Sequence, residues 1–72
     1  VVMALPGKSD KLSEVEILYL TLLAQGMSRK QAASELNVVV KTTEYYSSEI
    51  RRKLQAKTIT HAVALVIRRG LI

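Results

Sequence analysis

Seventy-two residues bury one modest core, which excludes a two-domain enzyme with an interdomain cleft. The chain has no cysteine and one histidine, which excludes disulfides, Cys-ligated zinc and multi-His metal sites and fits a reducing, cytoplasmic compartment. Eleven Lys and Arg against six Asp and Glu give a net charge of +5, pointing to a polyanionic partner: nucleic acid or an anionic membrane surface. The excess is uneven. Residues 1–27 carry Lys8 and Lys11 against Asp10, Glu14 and Glu16, whereas residues 28–72 carry nine basic and three acidic groups. A solvated basic face with no partner is the alternative origin of such a charge. The composition, 49% hydrophobic with only three Gly and one Pro, excludes disorder. No apolar run reaches the roughly 18 residues of a membrane-spanning helix. Val1 to Leu5 lack the basic start and long apolar stretch of a signal peptide. The chain opens on Val rather than Met, and reads as a piece of something longer.

Residues 1–11 read as a linker or tail, because Pro6, Gly7, Lys8, Ser9 and Asp10 are turn-prone and aperiodic. Residues 12–72 read as one domain of four helices. The first starts at a capping box, Ser13-Glu14-Val15-Glu16, with Leu12 and Ile17 placed as a hydrophobic staple. Its expected apolar face is Val15, Leu18, Tyr19, Leu22 and Leu23, and Gly26 ends it. A second capping box, Ser28-Arg29-Lys30-Gln31, starts the next helix, whose narrow apolar face is Ala32, Ala33 and Leu36, with Asn37 as a left-handed stop. The third segment opens on three β-branched valines, which favour strand in isolation. Thr43, Tyr46 or Ser47, Ile50 and Leu54 nevertheless keep a 3.6-residue period with no Gly or Pro, so a helix of about 14 residues is predicted. Its opposite face carries Lys41, Glu44, Tyr45, Ser48, Arg51 and Arg52. After a turn over Gln55 to Lys57, a fourth helix capped by Thr58 or Lys57 runs to Arg69. It is apolar almost all round, and Gly70 terminates it.

No catalytic constellation is present. His61 has no carboxylate neighbour in the sequence, the glutamates suit caps and surface charges, and no glycine-rich phosphate loop occurs. The chain therefore reads as a non-enzyme with no catalytic residue, metal site or cofactor. What remains is geometric: two short helices joined by a tight turn have helix-turn-helix spacing, in which the second helix enters a major groove. On it Lys41, Thr42, Glu44, Tyr45, Ser48 and Arg52 project away from the packing face, with chemistry suited to base edges and phosphates. The preceding helix begins at Ser28, followed by Arg29 and Lys30, and a helix N-terminus beside two cations seats a phosphate.

From Leu12 to Ile72 the chain resembles the DNA-binding domain of the LuxR family, also called GerE-like or FixJ/NarL-type. Leu12-Ser13, Glu16, Leu20 and the run Leu22 to Ser28 match the family's opening without a gap. Lys30-Gln31-Ala32-Ala33-Ser34-Glu35-Leu36 resembles its next segment. Thr42, Ile50, Lys53 and Leu54 stand in the frame of its recognition helix. Ala62 to Leu65 and Arg69 to Ile72 are very similar to autoinducer-receptor members. The resemblance implies an all-α domain of four helices, with the middle pair as the helix-turn-helix and Lys53 among the DNA contacts. It implies double-stranded DNA as partner, a role in transcription regulation, and a homodimer contact on the fourth helix through Ala62, Val63, Val66 and Ile67. The apolar run Ala62 to Ile67 supports that dimer contact independently, the alternative being that these residues only cover the core. A quorum-sensing receptor and a two-component regulator both fit.

The departures bear on function. The family's helix-starting Ser is Val39, which removes a side-chain cap worth about 1 kcal/mol. Its Val is Thr43, its Lys is Glu44 and its His is Tyr46. An acid facing DNA repels phosphate, although a carboxylate accepts from cytosine N4. Three charged family positions are apolar here: Val15, Leu18 and Ile59. They are expected either to pack together at the junction of the first and fourth helices or to form an exposed patch that docks a regulatory domain or partner protein. The reading these residues support is a sequence-specific DNA-binding output domain. The alternative is a degenerate helix-turn-helix that serves protein-protein interaction or dimerisation and binds DNA weakly. A membrane-surface role is disfavoured, because the apolar residues of the first three helices are needed for a core.

Overall fold

The computed structural model describes residues 11–72; the expected linker therefore lies outside the described residues, apart from Lys11. The described residues form four α-helices and no strand: α1 (Glu14–Ala24), α2 (Arg29–Leu36), α3 (Val40–Leu54) and α4 (Ile59–Arg68). The all-α, four-helix expectation holds.

Local chemistry places the helix starts. Ser13 and Ser28 each accept from the N3 amide, while Glu16 and Gln31 accept from the cap amides, completing both capping boxes. Thr58 caps α4 by accepting from the His61 amide at 3.0 Å. Val39 sits at the N-cap of α3 with extended backbone and makes no side-chain cap bond. The helix ends share one device. At each, a residue with positive φ (Gly26, Asn37, Gln55 and Gly70) is followed by a six-to-one backbone bond that satisfies an end carbonyl. These bonds run from Met27 to Leu22, Val38 to Ala33, Ala56 to Arg51 and Leu71 to Val66, at 2.9–3.2 Å. Gln55 does this at φ +56 without glycine's freedom. The same device stops α4 at Arg68, with Arg69 as its cap, one residue short of expectation.

All four helices contribute to one core: Tyr19, Leu20, Ala32, Ile50, Leu54, Ala62 and Val66. Each fully buried Leu, Ile or Val contributes about 1.5–3 kcal/mol. Ala32 and Ala33 are buried on α2, where small side chains allow close approach of the neighbouring helices. On α3 the expected packing face is buried at Thr43, Ser47, Ile50 and Leu54, with Tyr46 half-buried.

α1 buries a different stripe from the one expected. Leu20 is fully buried and Leu18 is 48% exposed, while Val15, Leu22 and Leu23 are half-buried. The helix is apolar on most sides, so hydrophobic period alone does not choose a face. The inward stripe is Glu16, Tyr19, Leu20 and Leu23, at i, i+3, i+4 and i+7. Glu16 is therefore a cap but not a surface charge. It is buried, and its Oε1 accepts from Lys53 Nζ at 2.7 Å as well as from the Ser13 amide at 2.9 Å. This ion pair ties the start of α1 to the end of α3. The three charge-to-apolar positions do not make one buried cluster: Leu18 is exposed, and Val15 and Ile59 are half-buried, with Ile59 packed on the core.

α4 resolves into an inner and an outer face. Ala62 and Val66, one turn apart, are fully buried in the domain's own core, so they are not available to a partner copy. Of the four residues expected at a dimer contact, Val63 is half-buried and Ile67 is 53% exposed, and these two reach the surface. Among the described residues, no helix is long and apolar enough to cross a membrane.

Candidate nucleic-acid interface

The candidate interface comprises α2, α3 and the turn between them. That turn is short because Asn37 adopts the left-handed conformation at φ 60, ψ 42, which reverses the chain within three residues. Val38 lies in the bend, and Val39 enters α3 in extended backbone, which accommodates its β-branched side chain. Of the three valines, Val39 keeps the extended conformation and Val40 is already the first residue of the helix. Thr43 is fully buried, and its hydroxyl donates to the Val40 carbonyl at 2.6 Å.

With one face of α3 locked into the core, the opposite face is fixed by geometry. Lys41, Glu44, Tyr45, Ser48, Arg51 and Arg52 are all exposed, and Thr42 is half-buried at the edge of this face. α3 has 15 residues, a length of about 22 Å, enough to lie along a major groove. Tyr45 is 61% exposed, and its ring lies 6.4 Å from that of Tyr46. Tyr46 in turn lies 5.9 Å from the buried Tyr19. A row of three tilted rings thus runs from the core to the surface and supports Tyr45 in place. Sequence reasoning named Tyr45 but missed this support, because Tyr19 lies on a different helix.

Ser28, Arg29 and Lys30 are exposed at the start of α2. The first intrahelical amide there is that of Ala32, donating to the Ser28 carbonyl, so the Arg29 and Lys30 amides have no acceptor within the helix. Arg29 also reaches across to α3: its guanidinium lies 4.0 Å from Glu44 Oε2, with both side chains about half exposed. The departure at Glu44 therefore comes with a cation beside it. No local pattern links positions 29 and 44, and the pair was not legible in the sequence. Arg52 pairs with Glu49 at 3.1 Å, an exposed contact of about 0.5 kcal/mol that a phosphate can displace.

Lys53 stands apart from the other expected contacts. Its side chain is 10% exposed and its ammonium is held by Glu16, so it turns toward the core rather than outward. His61 sits on the surface, its Nδ1 accepting from the Lys57 amide at 3.1 Å, and it belongs to the start of α4 rather than to the interface.

This arrangement is matched by a family model, that of the luxR family of bacterial regulatory proteins (GerE), over residues 10–66. The chain belongs to the luxR family. The match spans α1, α2, α3 and most of α4, so this luxR-family chain is a helix-turn-helix DNA-binding domain. The family is one of regulatory proteins rather than of enzymes. No curated protein matches the chain.

Proposed function

We propose that this luxR-family domain binds double-stranded DNA sequence-specifically, with α3 in the major groove and the start of α2 against a phosphate. The proposed contact set is Ser28, Arg29, Lys30, Lys41, Thr42, Glu44, Tyr45, Ser48 and Arg52; Lys53 is left out because Glu16 holds it. The observation that carries this reading is the division of α3. Thr43, Ser47, Ile50 and Leu54 are committed to the core, so Lys41, Glu44, Tyr45, Ser48 and Arg52 form the face it offers. Lys41, Arg52 and the cations of α2 supply sequence-independent attraction, while Tyr45, Glu44 and Ser48 stand where base edges pass. In the free domain Tyr45 is already supported by Tyr46, so little side-chain order is lost on docking.

A second copy meeting along α4 through Val63 and Ile67 supplies the half-site partner. The whole acts in transcription regulation in the cytoplasm, the compartment that the cysteine-free sequence fits. The test is replacement of Tyr45 and Arg52 together by alanine, with fluorescence anisotropy on a duplex selected by the wild-type chain. The expected result is a loss of at least tenfold in affinity and a shallower salt dependence. Unchanged binding contradicts the proposed face.

The second reading is a protein-interaction module with feeble DNA binding. Exposed Leu18 and the acid at Glu44 favour it. Only weak, sequence-independent DNA binding, turned strong on generic DNA by Glu44→Lys, supports that reading over the first.

A further inference from the structure

The geometry points to Glu44 as a specificity-determining residue that reads cytosine in the major groove, an inference that rests on the placement of α3 proposed above. Glu44 is exposed one turn into the outward face of α3, between Lys41 and Ser48 and beside Tyr45, so it faces whatever that helix docks against. A carboxylate only accepts hydrogen bonds. In the major groove the base-pair donors are cytosine N4 and adenine N6, whereas guanine N7 and O6 and thymine O4 are acceptors that repel it. Adenine sets its N7 acceptor beside its donor, against the second carboxylate oxygen. Cytosine's amino group has an acceptor on one side only, the O6 of its paired guanine, whereas adenine's lies between N7 and the thymine O4, so cytosine is the better partner.

An isolated acid in this place is repelled by the phosphates on both sides. Arg29 answers that repulsion. Its guanidinium reaches from the first turn of α2 to within 4.0 Å of Oε2. At that distance it is a long, exposed ion pair and not a short hydrogen bond, so the cation eases the repulsion without sequestering the carboxylate. A carboxylate has about four acceptor sites, and the remaining ones stay open to a base amino group. Both side chains are about half exposed, which leaves them room to adjust to the groove. The acid thus gives up non-specific attraction in return for discrimination at one base pair.

Selection from a random duplex library with the wild-type chain, Glu44→Gln and Glu44→Lys tests the inference. The position is exposed and none of the three side chains disturbs the core. The wild type is expected to enrich cytosine at one position, by roughly 5- to 150-fold over the other bases. Glu44→Gln shifts that position to adenine, through paired bonds to N6 and N7, and Glu44→Lys shifts it to guanine, with the rest of the site unchanged. The same base enriched by all three chains, or no preference that moves with residue 44, overturns the assignment while leaving DNA binding by α3 intact. A wild-type chain that enriches no sequence overturns the proposed function, and this inference with it.

Discussion

Replacing Lys53 by methionine removes one half of the pair that joins the start of α1 to the end of α3. The methionine keeps most of the side-chain length, so the change is mainly one of charge. Glu16, whose side chain is 5% exposed, then keeps a buried carboxylate with the Ser13 amide as its remaining partner in this contact. Breaking a buried pair from one side costs about 3–5 kcal/mol, because the orphaned charge stays desolvated. A domain of this length has a total stability of about 4–11 kcal/mol, so the loss is about a quarter of it or more. In thermal unfolding that corresponds to a fall in Tm on the order of 20–30 °C. Glu16→Gln combined with Lys53→Met removes both charges, and the glutamine still closes the capping box by accepting from the Ser13 amide. The double variant is therefore expected to recover most of the stability lost by Lys53→Met alone. Urea titrations of the wild type, both single variants and the double variant close the cycle. A Lys53→Met chain within about 0.5 kcal/mol of wild type, or a double variant as unstable as the sum of the singles, refutes the reasoning.

Three further outcomes are expected. Val39→Ser restores a cap on backbone already in N-cap geometry, its hydroxyl accepting from the Lys41 amide or sharing the Thr42 amide that donates to the Val39 carbonyl; urea denaturation should show a gain of up to about 1 kcal/mol. Gln55→Gly relieves a side chain held at φ +56 and should stabilise by up to about 1 kcal/mol in the same assay, whereas Gly26→Ala, at φ +96, should destabilise by about 1 kcal/mol or more. Ile67→Glu places a charge on the outer face of α4, and sedimentation equilibrium should show the chain shifted to monomer with its Tm little changed; a dimer that persists sets aside α4 as the contact.

The sequence made the helix boundaries legible because the caps are local chemistry. Both capping boxes, the stops at Gly26, Asn37 and Gly70 and the amphipathic period of α3 are each written within a few residues. Gln55 was legible only as part of a turn, since glutamine carries no preference for the left-handed conformation that it adopts there. The rotation of α1 was not legible. Its apolar residues surround the helix, and the inward choice is made by Glu16 meeting Lys53, 37 residues away. The same distance hid the ion pair of Lys53, which the family resemblance counted with the DNA contacts. On α4 the apolar residues were visible, but the division into inner Ala62 and Val66 and outer Val63 and Ile67 needed the packed neighbours. At the interface, residue types and the exposed face were legible from period. The ring row behind Tyr45 and the cation beside Glu44 were not, because each joins different helices.

The outward face of α3 is proposed to meet DNA. Titration of the 15N-labelled chain with a selected duplex, followed by amide chemical shifts, tests it residue by residue. The largest changes are expected at Lys41, Thr42, Glu44, Tyr45, Ser48 and Arg52, with a second group at Ser28, Arg29 and Lys30. Changes centred on Leu18 and Ile67 instead, or none at all at saturating duplex, contradict the account.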